Sequence, residues 1–154
     1  MKYFVEQEFI PKETWNYFAA KYGSGILGMR YIDARIPVFM DWLRETLGKS
    51  ITINTWHLPS PPEVFDGRCL RLPDDPVYKQ YSEHAYGRAV DFDVADMAAE
   101  DVRQAILNKY AAGFLGLGAT TMEKGTNWVH VGFGDLSDGW TPEKQNGIWL
   151  VNAS

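Results

Sequence analysis

The chain has 154 residues, of which 45% are hydrophobic, and a net charge of −5. That length suits one domain able to bury a sizeable core. No two Lys or Arg residues adjoin and no apolar run could span a bilayer, so nucleic-acid binding and membrane insertion are both excluded as expectations.

The N-terminus, Met1-Lys2-Tyr3-Phe4-Val5-Glu6, lacks the apolar stretch of a secretory signal, which implies synthesis in the cytoplasm. A short helix is expected around residues 11–22, ended by Gly23 and Gly25. Residues 31–48 read as largely helical. Ile32, Ile36, Phe39, Leu43 and Leu47 form one apolar stripe, and Pro37 fits only in a first turn, so the regular helix begins near Arg35 or Ile36. Gly48 suits its C-terminal cap.

Residues 51–56, Ile-Thr-Ile-Asn-Thr-Trp, alternate apolar with polar and predict a strand. Five of the eight prolines follow within residues 57–81 (Pro59, Pro61, Pro62, Pro73, Pro76), a density that neither a long helix nor a central strand survives. A connection of that length inside a compact domain is often functional. It contains the lone cysteine, Cys69, which rules out a disulfide framework and a cysteine-based zinc site. Residues 89–94 predict a second strand, and Asp96 is a candidate cap for a helix to about Tyr110 that buries Val102, Ala105 and Ile106. Gly113, Gly116 and Gly118 mark a turn-rich return. Residues 120–123 and 127–133 predict a hairpin about Lys124-Gly125-Thr126. The tail, with Trp140, Pro142 and Trp149, shows no clear period. Helices outside one small sheet indicate an α+β fold.

Two of the three histidines lie in motifs that carry chemistry. The first is Ser82-Glu83-His84-Ala85-Tyr86-Gly87-Arg88-Ala89-Val90-Asp91; the second is Asn127-Trp128-Val129-His130-Val131. His84, Asp91 and His130 offer two imidazoles and a carboxylate. Three such ligands leave one position open on a zinc ion, the arrangement of a catalytic site rather than a closed structural one. His84 and Asp91 can converge only if the chain turns between them, and Gly87 is the place for it. Asp91 then faces the metal while Phe92 and Val94 face the core. Ser82 stands near enough in sequence to hydrogen-bond around the ligands. The competing reading makes His84 a surface turn residue, but it leaves His130 unexplained within an apolar strand.

The stretch from Ser82 to Asp91 matches Ser-x-His-x-x-Gly-x-Ala-x-Asp through Ser82, His84, Gly87, Ala89 and Asp91. That pattern resembles the signature of the zinc D-alanyl-D-alanine carboxypeptidases and endopeptidases, a group sharing its fold with the hedgehog signalling domain. Trp128-Val129-His130 resembles the family's second zinc motif. The similarity covers roughly residues 30–140. It implies a small antiparallel sheet with flanking helices, one zinc, and a metallopeptidase hydrolysing peptide bonds in peptidoglycan stem peptides. It also implies a phage or prophage setting, as in endolysins, where a protein without a signal peptide acts on the cell wall after release.

The departures are specific. Many members of that family place a catalytic acid three positions before the second zinc histidine; here that position is Asn127. Some carry a histidine two positions before; here it is Trp128, a candidate for substrate contact. Glu123 is the alternative base. An even-numbered hairpin loop pairs Glu123 with Thr126 or Trp128 and turns it to the face of His130, whereas an odd loop turns it away. Substrate carboxylates call for a cation, and the family uses an arginine from this general region. Arg71 is favoured and Arg68 is the second candidate, while Arg88 is expected to point outward and His57 to pack on Trp56. The rival to catalysis is a non-catalytic zinc domain that binds cell-wall peptide or a protein partner.

Overall fold

The computed structural model describes residues 1–110, 118–134 and 143–152. Gly113, Gly116, Trp140 and Pro142 lie outside them. The architecture is α+β. Among the described residues three α-helices, α1 (Lys12–Tyr22), α2 (Arg35–Leu47) and α3 (Ala99–Tyr110), accompany six strands: β1 (Ile51–Thr52), β2 (Ala89–Val94), β3 (Thr121–Lys124), β4 (Val129–Gly132), β5 (Glu143–Gln145) and β6 (Ile148–Asn152). Short 3-10 turns cover Glu6–Glu8, Gly25–Tyr31 and Glu83–Tyr86. Among the described residues no helix is long and apolar enough to cross a membrane.

The strand order is β1-β2-β4-β3-β6-β5. The sheet is mixed rather than wholly antiparallel, because β6 lies parallel to β3 while the other neighbouring pairs run antiparallel. The parallel pair arises from the tail, which was expected to have no period. There β5 and β6 form a hairpin in which Gln145 pairs with Ile148 around Asn146-Gly147. Both turn residues have positive φ, 51° and 89°, the backbone that a two-residue Asn-Gly hairpin requires.

Helix α2 begins at Arg35, keeps Pro37 in its first turn and ends at a left-handed Gly48. It buries Ile36, Phe39, Met40 and Leu43 in one core cluster with Val90 and Phe92 of β2, Val131 of β4 and Val102, Ile106 and Leu107 of α3. Phe39 meets Phe133 edge-on, centroids 5.5 Å apart. Truncating a fully buried ring here, such as Phe92, would cost about 3–5 kcal/mol.

Two local expectations are corrected. The first strand stops at Thr52; beyond it the Asn54 N–H donates to the Glu8 carbonyl, and those of Thr55 and Trp56 to the Phe65 carbonyl. Tertiary partners there replace the sheet ladder. Asp96 does not cap α3. It sits at φ 57° in the turn after β2, where it pairs with Lys49 at 3.8 Å, and the helix opens at Ala99.

Side-chain alternation along β2 puts Val90, Phe92 and Val94 on the core face and Ala89, Asp91 and Asp93 on the other. The second face is covered too. The end of the proline-rich connection runs along the edge of β2, the Asp91 N–H donating to the Arg68 carbonyl (2.7 Å) and the Arg71 N–H to the His84 carbonyl (3.0 Å), and sends Arg71 and Arg68 over that face to Asp91 and Asp93.

Candidate metal centre

His84 sits in the turn Glu83–Tyr86. Ser82 caps this turn, its Oγ accepting from the Ala85 N–H at 3.3 Å, and so serves the backbone rather than the ligands. Gly87 ends the turn at φ 62° and packs so closely on the Tyr31 carbonyl that any Cβ would collide with it. The chain thus reverses between His84 and Asp91, and both side chains reach one point. Asp91 of β2 pairs directly across the ladder with His130 of β4, so carboxylate and imidazole leave the sheet on the same face.

Among the described residues, His84, Asp91 and His130 form a buried group whose ligand atoms all lie within 4.8 Å of one another. His84 Nδ1–H donates to the Cys69 carbonyl at 2.9 Å, which turns Nε2 toward the group. His84 Nε2 lies 3.2 Å from His130 Nδ1 and 3.2 Å from Asp91 Oδ2, and His130 Nδ1 lies 2.7 Å from Asp91 Oδ1. Zinc bonds of about 2.0–2.1 Å set tetrahedral donors about 3.3 Å apart. With Oδ2 as the carboxylate donor, its separation from His84 Nε2 and that between the two imidazole nitrogens, both 3.2 Å, already match. The borderline-soft donor set suits zinc better than magnesium or calcium, which prefer all-oxygen ligands. The buried group could therefore hold a metal ion.

The electrostatics follow from burial and proximity. Burial alone would raise the Asp91 carboxyl, but the charge on His84 and hydrogen bonds from His130 and His84 outweigh it and hold the group far below the usual carboxylate range. Burial likewise opposes charge on His130, yet the hydrogen bond to Asp91, the Glu83 carboxylate facing Nε2 and the charges of Asp91 and Glu123 push its pKa up to about 10. Asp91 also takes Arg71, whose Nη2 lies 2.6 Å from Oδ2.

The other candidates fall at different distances from this centre. Arg71 reaches it through Asp91. Arg68 is engaged one step along β2, its Nη1 2.6 Å from Asp93 Oδ2 and its guanidinium 3.4 Å above the Phe65 ring. Arg88 is exposed, and His57 packs edge-on against Trp56, outside the group. In the β3–β4 hairpin, Thr121 pairs with Gly132 and Met122 with Val131. Continuing that register by one residue sets Glu123 across from His130, on its face, rather than across from Thr126 or Trp128. The loop between Lys124 and Val129 holds four residues, an even number. Glu123 is half-buried, and its charge is felt at His130. Asn127 and Trp128 are exposed on the loop.

Two site-related residues escaped the sequence reading. Glu83 lies 3.8 Å from His130 Nε2, on the side of the ring away from Asp91. Only its place beside His84 hinted at it. Arg103 of α3 is buried and clamps the hairpin loop, donating to the Trp128 carbonyl (3.0 Å) and the Thr126 carbonyl (2.9 Å) while its Nε bonds Glu100. An arginine beside Val102 on the buried side of an amphipathic helix was the available signal.

No family model, no curated protein and no solved structure matches the chain.

Proposed function

We propose that this protein is a zinc-dependent peptidase of the hedgehog/DD-peptidase type that hydrolyses peptide bonds in peptidoglycan stem peptides. The observation that carries the reading is the buried convergence of His84 Nε2, Asp91 and His130 Nδ1. The substrate class rests on the resemblance of residues 82–91 to the D-alanyl-D-alanine peptidase signature. When bound, zinc supplies Lewis acidity to a scissile carbonyl and to the attacking water.

The chain's own residues supply the rest. The Cys69 carbonyl and the Arg71 guanidinium hold His84 and Asp91 in place. Glu123 accepts the proton of the attacking water and returns it to the leaving amine. Arg71, one-fifth exposed, is the cation nearest the centre for a substrate carboxylate, with Arg68 beside it on Asp93. Trp128 offers an exposed ring along the hairpin loop for an apolar part of the substrate. The exposed Asn127, at the family's usual acid position, favours a second reading: a zinc domain that binds stem peptide without cutting it.

The test is zinc content by elemental analysis together with hydrolysis of stem peptides. One zinc per chain is expected. Glu123→Gln should keep the zinc and lose about 10²–10⁴-fold in rate. A stoichiometry near zero after zinc supplementation overturns the metal reading. Inactive wild type with active Asn127→Glu selects the binding domain.

A further inference from the structure

We infer that Glu83 is a positioning residue that orients His130 for metal binding through the ring nitrogen remote from the site. The inference rests on the zinc reading and deepens it. His130 points Nδ1 at Asp91 and His84, so Nε2 is the nitrogen left over. Glu83 Oε2 stands 3.8 Å from Nε2. That is ion-pair spacing rather than a hydrogen bond, so Glu83 acts on the ring through its charge. An ionised carboxylate is acceptor-only, and facing Nε2 it favours the proton there, which leaves the Nδ1 lone pair for the metal.

The carboxylate is held for this task. Its Oε1 accepts from the Gly134 N–H at 2.8 Å, and its Oε2 accepts from the Thr121 hydroxyl at 2.8 Å. Gly132 and Gly134 line the cradle, and a Cβ on either would run into the Glu83 carboxylate. The two imidazoles are therefore backed in parallel ways. The Cys69 carbonyl stands behind His84 and the Glu83 carboxylate behind His130. The same short turn provides one ligand and steadies the other, although the two ligands are 46 positions apart in sequence.

The experiment is zinc affinity measured by competition with a chromogenic chelator, for wild type, Glu83→Gln and Gly134→Ala. Glutamine keeps the shape and the bond from Gly134 but turns an amide donor toward Nε2. Gly134→Ala keeps the charge and displaces the carboxylate. Each variant should bind zinc about 10–100-fold more weakly, with no further loss in the double variant. Proton–nitrogen NMR of labelled histidine gives a readout that fold stability would not move: the His130 Nε2–H resonance of the zinc-loaded protein should shift upfield in Glu83→Gln. Wild-type binding paired with Glu83→Gln affinity within twofold of it and an unmoved resonance overturns the role of Glu83 alone. Wild type that binds no zinc overturns the metal reading and this inference with it.

Discussion

Asp91 and Asp93 lie two residues apart on the same face of β2, and each receives an arginine from the same connection at 2.6 Å. The Asp91 side chain is 8% exposed and that of Asp93 is 42%. Asp91 adds His84 and His130 to its arginine, whereas no histidine reaches Asp93 within ion-pair distance among the described residues. An identical ion pair is thus part of a buried ligand group at one position and a strap on the loop at the other. What separates them is the strand opposite. Asp91 pairs with a histidine of β4, while Asp93 pairs with Thr52 on the sheet's far edge.

The contrast is sharpest under truncation. Asp91→Ala should abolish zinc binding and cost about 3–5 kcal/mol of metal-free stability, because it strands two buried imidazoles and a partly buried arginine without their counter-charge. Chemical denaturation with chelator present measures the loss. A cost equal to that of the same change at Asp93 would erase the distinction.

An intermediate effect concerns pH in the metal-free protein. His130 is raised from 6.5 to about 10, so its contribution is fully present below pH 6.5 and is lost as pH climbs through about 10. Asp91 is lowered from 3.8, so its contribution is present above that value and fades only in strong acid. Stability from the pair should therefore be greatest between about pH 4 and 6.5 and fall steadily on the alkaline side. Zinc, by occupying Nδ1, should flatten the alkaline limb. Denaturation midpoints across pH, with and without zinc, test both statements; an alkaline limb that zinc leaves unchanged would place the metal elsewhere.

The smallest effect belongs to Asp93→Ala. A half-exposed pair contributes roughly 0.2–1 kcal/mol, so stability should change by no more than that and zinc affinity should stay within twofold. A larger loss of affinity would mean that Arg68 and its Phe65 stack position the Cys69 carbonyl behind His84.

The sequence by itself determined the helices α1, α2 and α3, the strand β2, the β3–β4 hairpin though not its register, the turn at Gly87 and the three side chains of the centre. These are written in local codes: apolar period, a proline confined to a first turn, a glycine where φ is positive, and donor types at recognisable spacing. The Asn146-Gly147 hairpin is written in the same kind of local code, although the tail around it lacks periodicity. Tertiary structure alone decided the rest. The β3–β4 register turned Glu123 toward His130, because residues opposite each other in a ladder share a face. Packing of the proline-rich connection on β2 gave Arg71 to Asp91 and Arg68 to Asp93, a choice that spacing along the chain does not encode. Glu83 stands behind His130, and Arg103 beneath the hairpin loop, through contacts 47 and 25 residues away in sequence. Such contacts depend on which elements close over one another, and that is settled by burial of the whole core rather than by any segment's own pattern.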